Sequence, residues 1–122
     1  MAVHQRDRDG LARYAALVEG ESRRCGHRLY EAFAHRAWGV LHRLEGELDP
    51  SEARLQRAIS TFQRMGTRWQ LGRTYAELAE TTLARPDPSA AKVHFERALA
   101  LFEEMGAVPN AANARQALAD LG

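Results

Sequence analysis

From Tyr30 onward, apolar residues recur at three- and four-residue steps: Tyr30, Phe33, Ala34, Ala37, Trp38, Leu41 and Leu44. That spacing lays them along one face of a helix over about 28–46. The same period returns in Leu11, Tyr14, Ala15 and Val18, in Leu55, Ala58, Ile59, Phe62 and Met65, and in Phe95, Ala98, Leu99, Phe102 and Met105. No stretch alternates with a period of two, so strands are not expected. Helix boundaries come from the punctuation between these faces. Asp49-Pro50-Ser51-Glu52 offers a cap, a proline suited to the first helical position and a capping-box glutamate, and Asp87-Pro88-Ser89 repeats the device. Gly26, Gly66 and Gly106 stand where a left-handed residue would close a helix. Six helices are predicted, at about 11–25, 28–46, 51–65, 69–84, 89–105 and 110–121, with 1–10 a disordered lead-in. Their short connections predict antiparallel neighbours within a single domain over 11–122.

The three glycines are forty residues apart, each preceded by a sulfur-bearing residue: Cys25, Met65 and Met105. Sliding the chain by that offset aligns further columns, among them Val18/Ala58/Ala98, Trp38/Leu78/Leu118, Gly39/Ala79/Ala119, Leu55/Phe95 and Phe62/Phe102. A fixed period of this length means stacked helical units whose apolar faces are buried by their neighbours. Cys25 reads as a small core residue by its register with the two methionines.

Ala79 is followed by Ala91 at +12, Phe95 at +16 and Ala98 at +19, with Leu78 before it. The preceding unit shows Trp38-Gly39, then Ser51, Leu55 and Ala58 at the same steps. This resembles the tetratricopeptide repeat, in which small residues let two helices of a hairpin approach and an aromatic fills the gap between neighbours. The unit here is six residues longer than the usual one and lacks the proline that commonly ends its second helix. Units of about forty residues with "ALALFEEMGA" look like the long repeats of maltose-regulator-like (LuxR-type) activators and of bacterial adenylate cyclases with an ATPase module. The resemblance implies an all-α solenoid of stacked antiparallel hairpins in B-A-B-A-B-A phase, part of a longer array.

It also implies that the A-type helices line a concave face. Carried over from Gly39, Ala79 and Ala119, that face would present Arg36, Val40 and Arg43, then Arg73, Ala76 and Glu80, then Asn113, Gln116 and Asp120. The expected partner is a protein or peptide segment, with an acidic segment or chain terminus suited to the arginines. Two other roles follow from the same pattern: a sensor arm of a transcription activator or signalling enzyme that takes a small effector, and a dimerisation module. The dimer would use apolar end faces, Leu11 and Val18 at one end and Val108, Leu118 and Leu121 at the other.

Composition adds constraints. A net charge of +1 supplies little drive for nucleic acid, so direct nucleic-acid binding is not expected. The charge is uneven, +4 over residues 1–73 and −3 over 74–122. Lys92 is the one lysine against sixteen arginines, which reads as the coding bias of a GC-rich bacterial genome. A lone cysteine excludes an intrachain disulfide and suits a reducing cytoplasm. The charged N-terminus lacks the apolar run of a signal peptide, and no run is long enough for a membrane span.

Catalytic signatures are not found. No glycine-rich nucleotide loop or G-K-[ST] occurs, and Gly20-Glu21-Ser22 is followed by Arg24 where a nucleophile elbow needs glycine. The histidines at 4, 27, 35, 42 and 94 include no i, i+4 pair to hold a metal. A non-catalytic protein without cofactor or metal is therefore expected. Trp38 is expected in the packing and Tyr75 half exposed, while Trp69 could serve either as core or as a surface anchor.

Overall fold

A computed structural model describes the backbone of residues 5–25 and 28–121. Among these residues all regular structure is helical: α1 Gln5–Cys25, α2 Arg28–Leu44, α3 Leu48–Met65, α4 Arg68–Ala84, α5 Pro88–Met105 and α6 Val108–Leu121. The expectations for the Val18 and Cys25 side chains and for Gly26 fall outside the described parts. α1 starts at Gln5, so residues 5–10, expected to precede the first helix, form its opening turns. Their charges carry no apolar face, which is why the periodicity did not reach them.

Asp87 holds the start of α5 as expected: its carboxylate accepts the Ala90 N–H at 3.2 Å, and Pro88 follows in the first turn. The matching device before α3 is displaced. That helix begins at Leu48, which leaves Asp49 in its first turn and puts Glu47 where Asp87 stands forty residues on. Asp49 still suits the positive end of the helix dipole. The helix boundaries themselves keep the forty-residue register, α2 ending at Leu44 and α3 beginning at Leu48 as α4 ends at Ala84 and α5 begins at Pro88, and Gly46 lies in the first connection at φ +79°. Its N–H reaches the Arg43 carbonyl and that of Glu47 reaches the His42 carbonyl at 2.8 Å, so α3 can begin directly afterwards. Gly106 closes α5 in the same left-handed state, and Gly66 follows α3 at φ +69°.

The chain divides into two compact units, Met1–Thr61 and Phe62–Gly122, where the sequence suggested one repeat domain. The boundary falls inside α3.

In the first unit, α1 runs antiparallel to α2: Arg8 pairs with Glu45 at one end and Glu19 meets Trp38 near the other. At Gly39 the two helices α2 and α3 approach closely. A Cβ there would lie 2.6 Å from Leu55 Cγ and 3.2 Å from the Ser51 carbonyl, and the Ser51 hydroxyl donates to the Gly39 carbonyl at 2.7 Å. The positions 12 and 16 residues after Gly39 thus meet it, and both Ser51 and Leu55 are buried.

The second unit repeats that geometry. Ala79 packs with Ala91 and Phe95, again at +12 and +16, and Ala117, Leu118 and Leu121 of α6 close over them. Arg68 pairs with Glu104, a Gly72 Cβ would lie 2.9 Å from Phe102, and Tyr75 stacks on His94 at 6.4 Å. Partners on α5 run backward as α4 runs forward, so these two helices are antiparallel. Ala98, Phe102 and Ala111 join α5 to α6. Thr74, Thr81 and Thr82 are buried on α4, which the apolar pattern did not anticipate. Each hydroxyl is satisfied by a carbonyl one turn back, as in Thr74 to Gln70 at 2.7 Å, so burial leaves no orphaned donor.

Of the residues expected on an apolar end face, Val108 is exposed and Leu118 and Leu121 are half-buried. Val108 is 71% exposed at the start of α6, about 20 Å by helical rise from Leu121, which packs with Leu118 against the Phe95 cluster. No described helix is long and apolar enough to cross a membrane.

Candidate functional site

The second unit contains a cleft of about 230 Å³. Its two walls are α4 and α6 and its floor is α5, which lies between them in the chain. Arg73, Ala76, Glu77 and Glu80 come from α4; Asn110, Asn113, Ala114 and Ala117 come from α6. Each set steps i, i+3, i+4, i+7, the comb of one helix face. Phe95 and Phe102, two turns apart on α5, form the base and are only 3% exposed. The cleft therefore has an apolar floor and rims carrying one cation, two carboxylates and two amides. Arg73, Glu80 and Asn113 are exposed at the rim, so they can reach a ligand without leaving the core.

Four of the nine residues expected on the concave face line this cleft: Arg73, Ala76, Glu80 and Asn113. Gln116 and Asp120 do not. The Gln116 amide donates to the Asp120 carboxylate at 2.9 Å along an exposed flank of α6. The reason is geometric. Walls that face each other must present opposite-handed sides of their helices, so the α6 wall sits three residues earlier in the forty-residue register than the α4 wall. Applying one set of columns to both helices missed Asn110, Ala114 and Ala117. Glu77 was legible as the i+4 neighbour of Arg73. Phe95 and Phe102 were read as core, and they are core on the side away from the opening.

Arg36, Val40 and Arg43 belong to the first unit, where all three are half-buried on α2. The Arg36 guanidinium lies 5.3 Å from the Phe33 ring centroid, a cation–π contact along its own helix.

The first unit also holds a polar cluster around Trp38. The indole N–H donates to Glu19 at 2.8 Å, and the Arg54 guanidinium lies 5.9 Å from the ring centroid. Trp38 is thus half-buried with its polar edge satisfied rather than sealed in the core, as its alignment with Leu78 suggested. Arg54 also donates to His35 Nδ1 at 3.1 Å, which puts the ring proton on Nε2, 3.7 Å from Glu31. Burial, then the neighbouring Arg54 charge, lowers the His35 pKa from its usual 6.5. The folded state therefore favours neutral imidazole. Its contribution to stability is complete above about pH 6.5 and is lost as pH falls through the lowered folded value, because the unfolded chain takes the proton first. The thermal midpoint of the parent should fall more between pH 7.5 and 5.5 than that of His35→Gln. Parallel pH profiles would show that the fold does not hold His35 in its neutral form.

Tyr75 is half-buried as expected, with His94 on one side and the Arg97 guanidinium 5.6 Å from its ring centroid. Trp69 is 41% exposed and meets Phe102 edge-on at 5.9 Å, so it is both a packing residue and a surface one. Among the described residues no three His, Cys, Asp or Glu side chains gather as a metal site.

No protein-family model matches the chain, and no curated protein or solved structure matches it significantly.

Proposed function

We infer that this chain is a non-catalytic binding module of tetratricopeptide type that holds an extended protein segment in the cleft between α4 and α6. The observation that carries the reading is the cleft itself: walls from α4 and α6, an aromatic floor from α5, and polar side chains at the rim. Concave apolar sites with a few placed polar groups are the usual form of a binding site. The helical columns at +12 and +16 that meet in both units support the repeat assignment.

Size favours a peptide over a small effector. About 230 Å³ lies below the roughly 300–1,000 Å³ of ordinary small-molecule sites. It suits one or two side chains of a longer chain that runs on past the cleft.

The test is selection of a displayed library of random twelve-residue peptides on the purified protein, followed by affinity measurement for the enriched sequences. Asn113→Trp should fill the cleft and weaken binding at least tenfold, while Gln116→Trp, on the same helix but off the cleft, should leave it unchanged. Equal affinity in both variants would remove the cleft as the site.

A further inference from the structure

Arg73 and Glu80 stand at opposite ends of the α4 wall, seven residues apart on one face. Seven residues of helix rise about 10 Å. The wall therefore runs from a cation at one end, through the half-buried Glu77 one turn on, to an exposed carboxylate at the other, whereas the arginines expected on that face suited an acidic segment or chain terminus. The opposite wall carries no charge: Asn110 and Asn113 offer amides that can both donate and accept. Charge discrimination along the cleft thus comes from α4 alone.

A ligand that satisfies both ends needs opposite charges about 10 Å apart on one edge. An extended β strand points residues i and i+3 to opposite sides, and the residues it does point to one side are about 7 or 13 Å apart, neither of which matches a 10 Å separation as closely. A polyproline II segment has three residues per turn and a rise of about 3.1 Å, which brings i and i+3 to the same edge about 9 Å apart. The residues between them turn toward the rest of the cleft, where Phe95 and Phe102 offer apolar contact.

We propose that the cleft selects a polyproline II-like segment bearing an acidic and a basic side chain three residues apart, the acid against Arg73 and the base against Glu80, with an apolar residue between them directed at the Phe95–Phe102 floor. This rests on the peptide-binding reading above and specifies its ligand. Because both charges are rim-exposed, each contact contributes modestly, about fivefold in affinity. They set which sequences bind and in which position.

The experiment selects the same twelve-residue display library in parallel on the parent, Arg73→Ala, Glu80→Ala and Asn113→Trp, each first checked for parental helicity by circular dichroism. The parent pool should be enriched in opposite charges at a three-residue spacing. The Arg73→Ala pool should keep the base and lose the acid, and the Glu80→Ala pool should do the reverse. A synthetic peptide from the parent pool should lose about fivefold in affinity to either variant. A pool that depends on Asn113 but shows no such pairing, or that keeps both charges in the alanine variants, overturns the bipolar ligand and leaves the peptide-binding cleft intact. If no enriched peptide depends on Asn113, the cleft reading falls and the ligand assignment with it.

Discussion

Phe102→Ala should destabilise the protein by about 3–5 kcal/mol, the largest effect expected of any single substitution here. The ring is 3% exposed and packs with Ala98 and Ala111, it meets Trp69 edge-on, and it closes against Gly72. Its removal leaves a cavity between three helices that backbone movement cannot readily fill. The contact with Gly72 supplies an internal check. A methyl group at position 72 would sit 2.9 Å from the ring, so Gly72→Ala should destabilise the parent yet cost much less in a Phe102→Leu background. Chemical denaturation of the two single variants and the double variant measures the coupling. Additive losses would mean that the two residues do not press on one another.

Gly39→Leu should destabilise by about 1–3 kcal/mol or more, for the opposite reason. The Cβ of any larger residue would lie 2.6 Å from Leu55 Cγ, a branch point near the backbone that cannot swing away as a side-chain tip could. Leu55 is fully buried, so α2 and α3 would have to separate. Separation would also stretch the 2.7 Å hydrogen bond from Ser51 to the Gly39 carbonyl. Thermal unfolding checks this, and an unchanged midpoint would show that the helices do not approach as closely as Gly39 requires. Glycine is needed here for space alone, since its backbone is ordinary helix.

Both effects were foreshadowed by the repeat columns, and that marks what a sequence of this kind makes legible. Gly39, Ala79, Leu55 and Phe95 align because the same hairpin contact is built twice, so chemistry and period agree. Helix starts were harder to read. Asp49-Pro50 has the composition of a cap, but α3 begins at Leu48, the position equivalent to Pro88 at the start of α5. The buried threonines of α4 were invisible because their hydroxyls are satisfied within the helix rather than by any patterned partner.

The cleft was half legible. Arg73, Ala76, Glu80 and Asn113 followed from the repeat, whereas Asn110, Ala114 and Ala117 depend on how α6 turns to face α4. That turn is a property of three packed helices and has no signature in any one of them. Gln116 shows the consequence: it holds the column equivalent to Ala76, yet it bonds Asp120 outside the cleft.

Backbone amide chemical shifts, recorded while a selected peptide is titrated into the labelled protein, test the central claim most directly. A peptide held in the cleft should shift the amides of Arg73, Ala76 and Glu80 on α4 together with those of Asn110, Asn113 and Ala117 on α6, and should leave those of Gln63 and Lys92 in place. Saturable binding that instead moves residues around Val108 and the Gly106 turn, with the α4 amides unshifted, would contradict it.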